Sequence, residues 1–210
     1  MYTPKPETPQ AEINTRHLKL NDSVHFQTNH RCEWVRELLN EVNAAREDED
    51  HGAIIAENSF LEVDFTLNKK TSSEHPEYIT IKGIIKTTFW TYCIRCLQHM
   101  PETLKIDLKA CFVPEKFEHM AEYKDQITVY ADNEEMDLYF YKQSLNLRDF
   151  LQEQISINID PLPLHSESCM GLCQMCGHNL NEGSCAHLHS KIDSEDMSEG
   201  KRIQFRPTLH

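Results

Sequence analysis

The chain has 210 residues, of which 39% are apolar, and a formal net charge of −13 at pH 7. This apolar fraction is sufficient for a folded core and argues against a wholly disordered protein. No stretch approaches the roughly 20 apolar residues of a membrane helix, and Met1–Pro6 lacks the pattern of a signal peptide. We therefore expect a cytoplasmic protein with reduced thiols, containing one domain or one domain and a small appendage.

The distribution of charge bears on the class of partner. Between Arg148 and Lys191 there is no Lys or Arg, whereas acidic residues recur in that stretch. Proteins that bind nucleic acid usually present a basic face, because neutralising phosphates supplies much of the binding energy. We therefore expect this segment to be a poor phosphate clamp, and an acidic surface suits a basic protein partner better.

The first quarter of the chain predicts a lead-in, a strand and a helix. Residues 1–12 are rich in Pro, Thr and Glu, and a disordered lead-in is predicted over 1–14. A first strand is expected around Arg16–Phe26, and the apolar residues of 32–43 recur with helical period. The acidic run 47–50 predicts a solvated loop.

The middle of the chain is rich in strand patterns. Apolar and polar residues alternate in some segments, and others are dense in β-branched and aromatic residues. The predicted strands are 61–67, 78–92, 104–112, 127–130 and 136–141. Cys93 and Cys96 are therefore expected at or near the tip of a hairpin, which is the usual place of a zinc knuckle.

The last third predicts one helix followed by a cysteine-rich segment. Asn146–Asp149 resembles a capping box at a helix start, and Asp160–Pro163 ends the helix. We expect a core domain over 15–164, a zinc-binding segment packed on it over 165–190, and a flexible tail over 191–210. The predicted class is α+β, with an antiparallel β-rich core, a few helices and a zinc-stapled C-terminal segment.

Six of the eight cysteines have spacing typical of metal ligands. Structural zinc is held by four thiolate or imidazole ligands in a closed tetrahedron. The candidate ligands are Cys93, Cys96, His165, Cys169, Cys173, Cys176, Cys185 and His187. Their number predicts two structural Zn²⁺ sites. Other arrangements stay open. Cys169 could belong to the second site, His178 or His189 could complete either site, or the chain could bind a single zinc.

The remaining thiols and the absence of known catalytic motifs argue against an enzyme. Cys32 and Cys111 have no near cysteine and are expected to act as small apolar residues. A redox dithiol at Cys93 and Cys96 is disfavoured, because a thioredoxin-like motif opens a helix in a βαβ unit, whereas this pair lies between two predicted strands. No Gly-rich phosphate loop and no nucleophile motif is present, so no catalytic residue is predicted.

Four segments, in order, carry a family resemblance. They are 93–97, 147–155, 161–173 and 176–181. Together they resemble the bacterial YceD-like family, which also has plant members, over about residues 15–190. The resemblance implies a role in accumulation of the large-subunit (23S) ribosomal RNA.

The resemblance also implies a ligand pairing. Shorter family members retain the set equivalent to Cys93, Cys96, His165 and Cys169, so these four are expected to form one site. Longer members usually end in Cys-x-Cys, and here His187 takes the place of the second cysteine. Histidine also ligates zinc, so the replacement is compatible with a second site.

The sequence is compatible with three functions. The resemblance implies a non-enzymatic factor in synthesis, processing or stability of 23S ribosomal RNA, and the acidity favours contact with a basic ribosomal or processing protein. The alternative is a zinc ribbon that binds ribosomal RNA directly, through Lys82, Lys86, Arg95, Lys105 and Lys109. The third is a thiol-redox or zinc-dependent enzyme. No membrane partner and no small-molecule substrate is expected.

Overall fold

The computed structural model describes residues 8–44, 58–72 and 76–189. The chain divides into two compact units, Met1–Thr91 with His99–Pro161, and Tyr92–Gln98 with Leu162–His210. The expected acidic loop at 47–50 and the expected tail at 191–210 lie outside the described residues. None of the described helices is long and apolar enough to cross a membrane.

Strands dominate the described residues. The elements in chain order are β1 Glu12–Asn14, β2 Ser23–Asn29, α1 Glu33–Ala44, β3 Phe60–Lys70, β4 Tyr78–Tyr92, β5 His99–Pro114, β6 Thr128–Ala131, β7 Glu134–Tyr141, β8 Ser144–Asn146, α2 Leu147–Asn158 and α3 Ala186–His189. Short 3₁₀ turns lie at Thr15–His17 and Glu115–Phe117. This content confirms the predicted α+β class.

Six strands form the main sheet, in the order β2-β3-β4-β5-β7-β6, and β1 pairs with β8 in a separate two-stranded sheet. The pairs β1–β8, β2–β3, β3–β4 and β6–β7 are antiparallel, whereas β5–β7 is parallel and therefore departs from the expected antiparallel core. The chain leaves β5 through a 3₁₀ turn and forms β6 at the sheet edge. It then reverses at Asp132 and Asn133, both with positive φ, so β7 returns beside β5 in the same direction.

One face of the sheet and the two long helices enclose the main core. Every second residue of β3 from Leu61 to Leu67 is buried, which confirms the predicted alternation. Leu38 of α1 and Ile155 of α2 belong to the same buried cluster as Phe65 of β3. A second, smaller cluster contains Cys111, which is fully buried, and this burial raises the pKa of its thiol to about 12. Cys32 packs against the main cluster.

Both predicted helices are present. The α1 helix begins one residue later than predicted and extends to Ala44. At the start of α2, the Asn146 side chain accepts a hydrogen bond from the backbone N–H of Asp149 at 3.1 Å, as the capping pattern predicted. The helix ends at Asn158, before the Asp160–Pro163 stretch.

The prediction that the first strand starts at Arg16 was wrong. Thr15–His17 forms a 3₁₀ turn, because the Asn14 side chain accepts a hydrogen bond from the backbone of Arg16. Asn21 then takes a positive φ of 59°, so the strand begins only at Ser23. The expected lead-in is ordered at its end, where β1 pairs with β8.

Candidate metal centres

The first Cys-x-x-Cys segment is a tight turn between the neighbouring strands β4 and β5. The backbone N–H of Leu97 donates to the carbonyl of Cys93, and the N–H of Cys93 donates to the carbonyl of Gln98, both at 2.9 Å. Leu97 has a φ of 59°, in the left-handed region. Backbone groups of the same turn hydrogen-bond to the Cys93 and Cys96 sulfurs. This placement between strands differs from the helix start of a thioredoxin-like dithiol.

The second Cys-x-x-Cys segment repeats the first turn. Gly177 N–H donates to the carbonyl of Cys173, and Cys173 N–H donates to the carbonyl of His178, both at 2.8 Å. Gly177 has a φ of 72° at the position that Leu97 occupies in the first turn. Backbone groups again hydrogen-bond to the sulfurs of Cys173 and Cys176. The two turns therefore present their thiols in the same way.

The first group of donors comprises Cys93, Cys96, His165 and Cys169, whose ligand atoms all lie within 4.8 Å of one another. The Cys93 and Cys169 sulfurs are 3.7 Å apart, and the Cys96 sulfur is 3.3 Å from Nδ1 of His165. A tetrahedral zinc with bonds of about 2.3 Å to sulfur has sulfur–sulfur edges of about 3.8 Å. The spacing of the donors therefore fits a zinc ion, which would meet the Nδ1 atom of the imidazole.

The thiols of the first group differ in the direction of their pKa shifts. Burial by itself would raise the pKa of the Cys93 thiol, but hydrogen bonds from the backbone and side chain of His165 outweigh it and lower the pKa. Burial and the neighbouring Cys93 and Cys169 sulfurs raise the pKa of Cys96. Packed thiols cannot all ionise at neutral pH without a counter-charge, and a bound cation supplies that charge while displacing the protons.

The second group comprises Cys173, Cys176, Cys185 and His187, again with all ligand atoms within 4.8 Å. It is more accessible than the first, because Cys176 and His187 are exposed. Backbone hydrogen bonds from Met175 and Cys176 lower the pKa of the Cys173 thiol. A backbone hydrogen bond from His178 by itself would lower the pKa of the Cys176 thiol, but the neighbouring sulfurs and burial outweigh it and raise that pKa. The group therefore has the same donor chemistry as the first but less protection from solvent.

Residues that are not candidate ligands connect the two groups within the second unit. Leu172 N–H donates to the carbonyl of Arg95 at 3.1 Å, and Gly171 approaches so closely that a Cβ there would lie 3.1 Å from the same oxygen. The Arg95 guanidinium donates to the carbonyl of Cys169 at 3.1 Å. Asn181 donates its amide N–H to the Cys169 sulfur at 3.5 Å. The second segment is therefore built against the first turn.

The structure brings the eight sequence-predicted residues into two groups of four, and the first group is the set that the family resemblance implied. Cys169 lies with the first group and not the second. His178 belongs to neither group of described side chains, and the side chain of His189 lies outside the described part. Sequence reasoning missed the roles of Asn181 and Arg95, since no spacing rule marks a residue that hydrogen-bonds to a ligand or supports its loop, although both lie in segments that carry the family resemblance.

The lysines considered for RNA binding are partly neutralised. Glu134 pairs with Lys82 and, at 3.1 Å, with Lys109. Lys86 lies opposite Glu62 in the register of β3 and β4. Among the described residues, neither Lys86 nor Lys105 has an ion pair within 4.0 Å. The patch is therefore less basic than its lysine count indicates.

A family model described as "Large ribosomal RNA subunit accumulation protein YceD" matches residues 81–198, more than half of the chain. The match begins within β4 and includes both donor groups. The matched range starts later than the resemblance, which covers about residues 15–190. The searches of curated proteins and of solved structures give no match.

Proposed function

This chain belongs to the YceD family, and on that premise we propose that it is a non-enzymatic factor supporting the synthesis, processing or stability of 23S ribosomal RNA. It would act in the cytoplasm through contacts with a basic ribosomal or RNA-processing protein. The observation that carries this proposal is the presence, inside the family-matched segment, of two groups of three thiols and one imidazole. Such groups build a rigid surface more readily than an active centre.

The donor count supports a structural role for the metal. A catalytic zinc usually has three protein ligands and keeps the fourth position for water or substrate. Each group here offers four donors, so a bound ion would be enclosed by protein. Mixed thiolate and imidazole ligation favours Zn²⁺ over metals that prefer oxygen ligands. Each group would hold one Zn²⁺, and each ion would fix the loops that carry its ligands.

Direct binding to RNA is the less favoured route. The ion pairs of Glu134 with Lys82 and Lys109 must be broken or shared before those lysines contact phosphate. The cysteine-rich segment from Asp149 to Ser190 contains no Lys or Arg. Because counterion release on phosphate contact drives nucleic-acid binding, this charge distribution favours a protein partner.

Deletion of the gene tests the proposal. We expect the ratio of 23S to 16S ribosomal RNA to fall in the deletion strain and to recover with the intact chain. Cys93→Ser, which removes a proposed ligand, should fail to restore the ratio, whereas Cys32→Ser should restore it. Normal 23S and 16S levels in the deletion strain would refute the proposed function.

A further inference from the structure

Several large apolar side chains are exposed in the second unit, close in sequence to the metal-binding candidates. We call them the apolar patch: Ile94, Leu97, Leu162, Met170 and Met175, with exposed fractions between 48% and 74%. The remaining exposed large apolar residues of the described chain are spread over the longer first unit. Contiguous exposed apolar surface on a folded protein marks a binding site more often than chance.

Backbone contacts bring residues of the apolar patch close together. The N–H of Ile94 donates at 3.0 Å to the carbonyl of Pro163, the residue after Leu162. Gly171, which follows Met170, packs on the carbonyl of the residue after Ile94. Three backbone segments from separate parts of the sequence therefore meet at the first turn, and each carries an exposed apolar side chain. Leu97 lies in that same turn, and Met175 extends the patch onto the second.

The charge around the patch is negative. Glu167 and Glu182 are exposed, and Arg95 is the only Lys or Arg among the described residues of this unit. The Arg95 guanidinium is held by the carbonyls of Glu167 and Cys169. If Zn²⁺ fills each group, three thiolates against two positive charges leave about one further negative charge per centre. A partner that covers this surface is therefore expected to carry positive charge.

We propose that the apolar patch is the docking surface for a basic amphipathic protein segment, in which apolar side chains alternate with Lys or Arg. This inference rests on the proposed function, because it names the surface through which that factor would meet its partner. The two methionines suit the role, since flexible thioether side chains adapt to varied apolar surfaces. The patch contains no aromatic ring on which nucleic-acid bases would stack, which favours protein over RNA.

A peptide of defined composition tests the docking surface. The probe is a labelled Leu–Lys amphipathic helix of about 18 residues, or about five turns. Its controls are a Ser–Lys peptide of equal charge and a Leu–Glu peptide of reversed charge. Binding to the zinc-loaded full chain is measured by fluorescence anisotropy. We expect the Leu–Lys peptide to bind at least about tenfold more tightly than either control, as apolar anchors dominate such interfaces.

Matched variants locate the binding. Ile94→Ser with Met170→Ser should weaken Leu–Lys binding by about tenfold or more, whereas Ile127→Ser with Ile157→Ser, at exposed positions of the first unit, should change it less than about twofold. Zinc content is checked for both. Leu162→Ser, which is not adjacent to a cysteine, repeats the test if the first pair loses metal. Equal effects of patch and control variants, or equal binding of the Ser–Lys peptide, would overturn the proposal.

The same variants separate this inference from the proposed function. If Ile94→Ser with Met170→Ser loses peptide binding but restores 23S ribosomal RNA in the deletion strain, the factor does not act through this surface, so the inference fails and the proposed function stands. If deletion leaves 23S levels normal, the proposed function fails whatever the peptide does. Binding of a 23S RNA fragment that is lost in the patch variant would assign the surface to RNA and overturn a protein partner.

Discussion

Leu97 has a backbone conformation that glycine adopts more readily. Its φ of 59° corresponds to the φ of 72° at Gly177 in the second turn, and its side chain is 61% exposed. A left-handed conformation costs a residue with a Cβ roughly 1–2 kcal/mol. The first turn therefore carries strain that the second avoids.

Exchanging the residue types at these positions tests this strain. Leu97→Gly should raise the free energy of unfolding of the zinc-loaded protein by about 1 kcal/mol. Gly177→Leu should lower it by about 1–2 kcal/mol, although a Cβ there meets no atom within 4 Å, because the cost lies in the backbone. Denaturant midpoints with matched zinc content measure both. A loss of stability in Leu97→Gly would contradict the argument.

Asn181 is a further residue whose role follows from one contact. Its amide donates to the Cys169 sulfur and its Oδ1 accepts from the N–H of Met170. Asn181→Asp replaces that donor with a carboxylate beside a sulfur, so we expect zinc affinity at the first centre to fall about 10–100-fold. Competition with a chromophoric chelator measures the affinity. Gln174→Glu makes the same change elsewhere in the second unit and should leave the first centre's affinity unaltered.

At the scale of elements, the second turn depends on the first more than the first depends on the second. The segment before the second turn contacts the Arg95 carbonyl through Leu172 and Gly171, and Asn181, which follows that turn, hydrogen-bonds to Cys169. None of the four donors of the first group belongs to the second turn. The first centre should therefore fill first and order the segment that forms the second.

Single ligand replacements measure this dependence as zinc content. Cys176→Ser should lose one equivalent of zinc and keep the other, because the first group remains complete. Cys93→Ser should lose more than one equivalent, because the second segment also loses its ordered neighbour. Elemental analysis of reductively purified protein gives the stoichiometry, with Cys32→Ser as the control. One full equivalent retained in Cys93→Ser would show that the two centres fill independently.

On the scale of the whole molecule, the two units differ in what stabilises them. The first unit has an extended buried apolar core between the sheet and the helices α1 and α2. Both donor groups lie in the second unit, whose described helix α3 has only four residues. Burial of apolar surface therefore stabilises the first unit, and the second is expected to depend on metal binding.

Chelation under reducing conditions tests this difference. We expect metal removal to expose the backbone amides of Tyr92–Gln98 and residues 162–189 to hydrogen exchange. The amides of β3 and α2 should keep their protection, because their core contains no metal ligand. Hydrogen exchange followed by mass spectrometry resolves the two regions. Equal loss of protection in β3 and in the second unit would show that folding of the first also requires metal.

The local patterns of the sequence predicted most single elements. The alternation in 61–67 and the composition of 78–92 predicted β3 and β4, because side chains of a strand face opposite sides. The Asn146 cap predicted the start of α2. The first strand was misplaced, since the Asn14 and Asn21 turns carry little signal against the apolar residues nearby.

The sequence by itself determined which residues have metal-ligand chemistry and most of the elements that carry them, because both depend on neighbours a few positions apart. Spacing left the grouping of those residues open, the family resemblance implied it for the first four only, and tertiary structure decided it: Cys93 meets Cys169 across 76 positions, and Cys96 meets His165 across 69. It also decided the parallel pairing of β5 with β7 and the neutralisation of Lys82 and Lys109 by Glu134. Such contacts depend on the path of the folded chain, which no local spacing records.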